Sequence, residues 1–284
     1  MPKSSKFADA FTPAEVAARV KTLGVSKANM PLLQIMVLSL MAGAFISFGA
    51  MYYTMVMTQP SAAYGASKML GGIAFSLGFI LVVIAGGELF TGNNLIVMAW
   101  AKGRVSATSV LRNWSLVYIG NTIGALVTVY LIYQSGFLEG AHHAVGVTAL
   151  KIGVAKVDHT TTEAFIRGLF CNALVCLASW MVYASRSVTD KILAVLFPVS
   201  AFVAIGFEHC IANMFMIPLA LIAVNDPEIV ALSHLSPEAL QQLTLSGMWH
   251  NIIPVTFGNI LGGAVMVAMA YYIVYLYRQD KKSC

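Results

Sequence analysis

Apolar positions along the chain gather into long blocks separated by short polar ones. Blocks run from Leu32 to Met57, Met69 to Ala101, Leu116 to Tyr133, Phe165 to Tyr183, Ile192 to Val224 and Ile252 to Tyr277. A membrane-spanning helix needs roughly 20 such residues. The second and fifth blocks are too long for one straight span, and polar residues interrupt both. The second is broken by Gly86-Gly87-Glu88 and Thr91-Gly92-Asn93-Asn94, the fifth around Phe207-Glu208-His209. Polar stretches, Glu139 to Glu163 and Asn225 to Gly247, separate the later spans. The pattern predicts an all-α membrane protein of six transmembrane helices, the second and fifth broken.

Ahead of the first block, Thr12-Pro13-Ala14-Glu15 has the form of a capping box with proline at the first helical position. Phe11 and Val16 fit a hydrophobic staple, Val16, Val20 and Leu23 share a face, and Gly24 is a natural stop. A short amphipathic helix on the membrane surface is expected. The chain divides into a cytoplasmic amphipathic segment (1–30), one transmembrane domain (31–278, with halves about 31–137 and 160–278) and a cytoplasmic tail (279–284).

Composition agrees with the block pattern. The chain is 58% hydrophobic and 10% charged, against roughly 45–50% and 25% in soluble domains, and its mean hydropathy is +0.78. A soluble enzyme, a disordered chain and a disulfide scaffold are excluded. Of the four cysteines, Cys171, Cys176 and Cys210 lie in apolar blocks, and no CxxC occurs. Neither a metal nor a cofactor is implied.

The net charge of +5 reads as topology rather than nucleic-acid binding. With both termini in the cytoplasm, thirteen basic residues fall inside (Lys3, Lys6, Arg19, Lys21, Lys27, Lys102, Arg104, Arg112, Arg186, Lys191, Arg278, Lys281 and Lys282). Only Lys68, Lys151, Lys156 and Arg167 fall outside. The positive-inside rule therefore favours a multi-pass protein with both termini on the cytoplasmic side.

The two interrupted blocks resemble each other. Glu88 to Asn93 lines up with Glu208 to Asn213 at an offset of 120, and Gly120-Asn121-Thr122-Ile123-Gly124 with Gly258-Asn259-Ile260-Leu261-Gly262 at 138. Ser47 and Asn172 match more weakly, at 125. Three spans per copy is an odd number, so the second copy is inverted, as in many transporters. Broken helices then meet near the midplane, where irregular backbone survives only beside a cavity or inside protein. The second half-helices, starting after Asn93 and Asn213, would aim free N–H groups at the midplane. Two positive helix ends favour an anion, and Asn93 and Asn213 are candidate N-caps. The GxxxG spacing of Gly120/Gly124 and Gly258/Gly262 indicates tight helix packing.

Few side chains in the spans carry chemistry. His209 is the one histidine inside an apolar block. An ionisable group there costs roughly 2.5–3.5 kcal/mol when charged, and histidine can exchange a proton near neutral pH. Thr91 faces it by pseudo-symmetry and offers a hydroxyl to an oxyanion or the imidazole. Asn172 is a second buried polar group, placed to hold or gate the break. Glu88 and Glu208 would repel an anion as pathway groups, so a loop-structuring role accepting backbone N–H bonds is expected, with a proton relay as the alternative. Lys156 either draws anions inward or is merely solvated. Phe75, Phe79, Phe90 and Phe202 are aromatics near the breaks, either packing groups or constrictions. A lone histidine without a paired nucleophile or a second metal ligand argues against an enzyme.

These motifs resemble the formate/nitrite transporter family over Leu32 to Tyr277. The likeness rests on Gly87-Glu88-Leu89-Phe90-Thr91, Gly206-Phe207-Glu208-His209-Cys210-Ile211-Ala212-Asn213-Met214 and Pro254-Val255-Thr256-Phe257-Gly258-Asn259. It implies homopentamers of aquaporin-like protomers in the lipid bilayer, each carrying small monovalent anions or their acids. It places the central histidine at His209, the loop threonine at Thr91, the conserved asparagine at Asn172 and the outer lysine at Lys156. Constrictions fall on Phe75 and Phe202 outside and on Phe79, Leu89 and Val175 inside. Formate channels tend to have leucine where this chain has Phe79. Gly92-Asn93-Asn94 leans toward nitrite-type members, and the segments around His209 and Pro254 toward formate-type ones. Formate transport, passive or proton-coupled through His209, is the leading expectation; nitrite, hydrosulfide and short carboxylates such as acetate or lactate are the alternatives. A water channel is disfavoured, because Asn93-Asn94-Leu95 and Asn213-Met214-Phe215 stand where that family has Asn-Pro-Ala.

Overall fold

The computed structural model describes residues 11–277. The tail 279–284, with Lys281 and Lys282, and Lys3, Lys6 and Arg278 lie outside the described residues. Among the described residues six helices are long and apolar enough to cross a membrane: Leu32–Val56, Tyr64–Gly86, Ala107–Gln134, Thr161–Ala184, Val188–Ile205 and Leu245–Tyr275. In chain order the α-helices are α1 (Pro13–Ala28), α2 (Leu32–Val56), α3 (Tyr64–Leu81), α4 (Val97–Ala101), α5 (Ala107–Gln134), α6 (Ala144–Val157), α7 (Thr161–Ala184), α8 (Val188–Ile205), α9 (Cys210–Ala223), α10 (Pro227–Ser233), α11 (Pro237–Gln241), α12 (Leu245–Ile260) and α13 (Ala270–Tyr275). Both long apolar blocks break as expected. Helix α3 runs through a π turn into the first break, and a 3-10 segment, Gly92–Ile96, leads on into α4. The second break separates α8 from α9.

Several helices start earlier than their apolar blocks because caps, not hydropathy, set their ends. Ser106 accepts from the Ser109 amide and opens α5. Thr160 and Glu163 form a capping box on α7. Thr244 caps α12. The stretches read as polar connections also hold structure. Helix α6 buries Val145, Ala149, Leu150, Val154 and Val157 and packs along α9. Helices α10 and α11 follow α9.

The capping box of α1 forms as expected, but the apolar face of the helix meets protein. Val16, Ala17 and Val20 join a cluster with Leu95, Met98 and Trp180. Gly24 does not stop the helix. It is buried, and a Cβ there would lie 3.1 Å from that of Ala99 and 3.4 Å from the Ile96 backbone. The glycine lets α1 seat closely on the half-helix after the first break, and the helix continues to Ala28.

That seat makes α1 the partner of α6. Each short helix packs on the half-helix of its own repeat and sends a lysine, Lys27 or Lys156, to the glutamate of its break. The structural repeat therefore begins before residue 31, with α1 in one half and α6 in the other. GxxxG packing recurs in both halves: a Cβ at Gly124 would run into the Leu40 carbonyl, and one at Gly262 into that of Leu169. The same relation, Leu40 to Leu169, is an offset of 129 and puts Gly43, not Ser47, opposite Asn172.

Candidate functional site

Each break turns on a left-handed glycine, Gly86 at φ 89° and Gly206 at φ 85°. Backbone released from a helix at membrane depth needs partners inside the protein, and one asparagine per half supplies them. Asn121 accepts from the Phe90 amide at 2.9 Å and donates to the Ser39 and Glu88 carbonyls at 2.8 and 2.9 Å. Asn259 accepts from the Cys210 amide at 3.0 Å and donates to the Gly168 and Glu208 carbonyls at 2.7 and 3.0 Å. The N–H groups expected to lie open to an anion are thus partly taken by side chains.

The two carboxylates are held by side chains, not by backbone N–H groups as expected. Lys27 donates to Glu88 and, at 3.0 Å, to Asn93 Oδ1, while Asn93 Nδ2 donates to Glu88 at 2.7 Å. Lys156 reaches both oxygens of Glu208 at 2.9 and 3.1 Å, and Asn213 Nδ2 donates to it at 2.6 Å. Asn113 and Asn251 complete the two lattices, each accepting from the break asparagine and donating to the lysine carbonyl. Asn93 and Asn213 are not N-caps: both lie inside their half-helices, at distances from the ends where a side chain reaches the carboxylate instead. Buried charge is tolerable only when paired and hydrogen-bonded in this way.

The N-cap of α9 is His209, whose Nδ1 accepts from the Ala212 amide at 3.2 Å. An amide N–H can only donate, so the neutral ring carries its proton on Nε2. Nε2 lies 3.0 Å from Thr91 Oγ1. The His209 ring stacks on Phe202 at 6.2 Å, and Phe202 meets Phe75 edge-on at 5.9 Å. Asn172 makes no hydrogen bond to His209. It donates to the Thr91 carbonyl at 3.2 Å and to the Asn259 carbonyl at 2.7 Å, tying the two halves together.

Two cavities of about 780 and 770 Å³ open on either side of this layer. Phe75, Phe202, Glu208 and His209 line the first, and Phe79, Glu88 and Leu89 the second. Thr91 and Val175 are buried and line neither. Each cavity wall carries four cationic side chains and one carboxylate: Lys68, Lys151, Lys156 and Arg167 with Glu208, and Arg19, Lys27, Arg186 and Lys191 with Glu88. Such walls concentrate anions.

A family model described as Formate/nitrite transporter matches residues 14–273. The chain belongs to the formate/nitrite transporter family. It is 41% identical over 276 residues to formate channel FocA of Escherichia coli (strain K12), covering 96% of this chain and 97% of that protein. Formate channel BtFdhC of Bacillus thuringiensis is 33% identical over 265 residues, covering 93% and 95%. A solved structure described as a pentameric formate channel with formate bound matches at a TM-score of 0.80 and 41% identity, covering 86% of this chain and 98% of that one. This member of the formate/nitrite transporter family is therefore a multi-pass membrane protein with the aquaporin-like arrangement of six spans, and the family is one of channels, not catalysts.

Two of the expected constriction residues, Phe90 and Val175, line neither cavity. The Phe90 ring packs edge-on against Tyr118 at 4.9 Å and Trp114 at 6.2 Å and lines neither cavity. Sequence reading missed Lys27, Asn113, Asn121, Asn251 and Asn259 as parts of the site. Asn121 and Asn259 stood in the repeat motif itself, whose offset of 138 also pairs Asn113 with Asn251, and an offset of 129 pairs Lys27 with Lys156.

Proposed function

We propose that the protein carries formate, as the anion or its acid, across a bacterial inner membrane, with both termini in the cytoplasm and one pathway in each protomer of a homopentamer. The observation that carries this reading is the Thr91–His209 hydrogen bond, set between two cation-walled cavities and next to the Phe75–Phe202 pair. Among the relatives that match this chain over nearly their full length are formate channels.

The cationic walls raise the local anion concentration. The apolar neck then resists a bare charge, because an unpaired ion is costly in a low-dielectric passage. At the neck the solute exchanges the Thr91–His209 hydrogen bond for its own with Nε2–H and the Thr91 hydroxyl. Asn172, by holding the Thr91 carbonyl, keeps the threonine in place during the exchange. Proton coupling adds a second proton to the ring at Nδ1, which requires release of the Ala212 amide and so links protonation to the cap of α9. Proton transfer from the ring to formate gives the neutral acid, which crosses the rest of the neck.

The test is uptake of labelled formate into proteoliposomes under an imposed pH gradient, with unlabelled nitrite as competitor. Saturable uptake that follows the gradient and resists nitrite supports a proton-linked formate pathway. Absence of formate uptake, or complete loss with equimolar nitrite, moves the substrate to nitrite or another small anion. The His209→Asn variant keeps a hydrogen-bonding group but cannot titrate, so gradient-driven uptake should disappear while downhill flux persists. Unchanged gradient dependence in that variant refutes the proton role.

A further inference from the structure

The repeat equates two residues of very different chemistry. The Glu208 amide donates to the Arg167 carbonyl at 3.3 Å, and the Glu88 amide to the Leu38 carbonyl at 3.2 Å. Arg167 and Leu38 therefore occupy the same place in their halves, at the 129 offset that also pairs Lys27 with Lys156. Both line their cavity, Leu38 on the Glu88 side and Arg167 on the Glu208 side. Arg167 sits six residues into α7 from Thr161, roughly 9 Å along the helix. An arginine that far into a span is costly and marks an ion path by default.

Support of the break does not account for it. The guanidinium donates through Nη1 to the Gly206 carbonyl at 2.9 Å. Yet the first break makes the same left-handed turn, at Gly86, with leucine in the equivalent place. The bond to Gly206 fixes the plane of the guanidinium and takes one of its five N–H donors. Among the described residues Arg167 has no ion pair: Glu163, one turn earlier, is committed to its cap at Thr160, and Glu208 to Lys156. A charged fork is left on the cavity wall, in the same cavity as Phe75 and Phe202.

We propose that Arg167 is a binding site for the transported anion in the Glu208-side cavity: a planar carboxylate or related oxyanion, taken in bidentate fashion before it enters the neck, with no counterpart on the Glu88 side. The inference rests on the anion-transport reading above. It makes the pathway unequal at its two mouths. Half-saturation is lower from the Arg167 side, and that side prefers formate over a spherical anion such as chloride, because a fork matches two oxygens and not one sphere.

The experiment uses the full-length protein in planar bilayers, with formate added to one side at a time and chloride as competitor, for wild type, Arg167→Leu and Arg167→Lys. Copying the inner residue with Arg167→Leu should raise the Arg167-side half-saturation about tenfold, as expected for loss of a charge-assisted bidentate pair, with far less change on the other side. Arg167→Lys should keep the side bias but lose the preference for formate over chloride. Equal shifts at both mouths, or a change in maximal flux alone, would overturn the site and leave Arg167 as a support for Gly206. Thermal unfolding of the purified protein, titrated with formate or chloride at fixed ionic strength, reads binding without transport. Stabilisation by formate that Arg167→Leu abolishes supports the site even if no flux is seen, in which case it is the transport reading that fails. Equal stabilisation of wild type and both variants refutes the site.

Discussion

The two breaks share a scaffold and differ in what they present to the pathway. In each, a left-handed glycine, a buried glutamate, a lysine from a short helix and three asparagines form the same lattice. The first break goes on into a short 3-10 turn and offers Thr91; the second goes on into a full helix capped by His209. The first has Leu38 on its wall and the second Arg167. What the halves share holds irregular backbone in an apolar setting. What they do not share is where solute chemistry resides.

The largest effect that would break this comparison lies in the buried pairs. Glu208→Leu leaves Lys156 without its carboxylate and should cost about 3–5 kcal/mol, read as loss of thermal stability in detergent. Glu88→Leu should cost less, because the Lys27 side chain is 21% exposed against 14% for Lys156 and water can take over more of its charge. The double variant Glu208→Leu, Lys156→Met should recover most of the loss. A larger cost at Glu88 would show that α1 is the stronger clamp and reverse the ranking.

A smaller effect sharpens the contrast between the offered groups. Thr91→Val removes the partner of the His209 ring at Nε2 and should cost about 1–3 kcal/mol; Thr91→Ser should restore most of it. Equal stability of all three would mean that the layer between the cavities is held by packing alone.

The smallest effect separates the two short helices. Helix α1 has a capping box, whereas α6 starts at His143 with no side-chain cap. The Thr12 backbone amide, and then its hydroxyl, donate to Glu15 and hold its carboxyl below the ordinary 4.5. A depressed acid stabilises the folded form above its unfolded value and loses that contribution as pH falls through the folded one. Protection of the first-turn amides of α1 from hydrogen exchange, taken relative to the intrinsic rate at each pH, should therefore fall on acidification below about pH 4.5. No change in that turn would show that its seat on the half-helix, not the cap, keeps it closed.

Much of this was legible because polar residues stand out against apolar blocks. Both breaks, the inversion, and the facing of Thr91 and His209 could be read before any coordinates. Residues outside the blocks were harder to place. Helix α6 is half-buried and too short for a span, although Val145, Ala149 and Val154 already trace a helical face. Lys27 was hidden among other charges of an amphipathic stretch, and the Ser47–Asn172 match at the wrong offset concealed its partner. Asn93 and Asn213 looked like caps because asparagine often is one; their carboxylate neighbours five residues earlier were the competing partners. Arg167 was counted as a flanking charge, since counting by side does not register depth.

The membership of α1 in the first repeat bears on ancestry. The duplicated unit is one short helix and three spans, an odd number of crossings. A single such unit, inserted both ways up in one membrane, would pair with its own inverted copy and assemble both lattices, with no second gene. Fusion then fixes one copy in each orientation, and from that moment the two are free to diverge. Leucine at 38 against arginine at 167, and threonine at 91 against isoleucine at 211, are changes a symmetric ancestor could not make one side at a time.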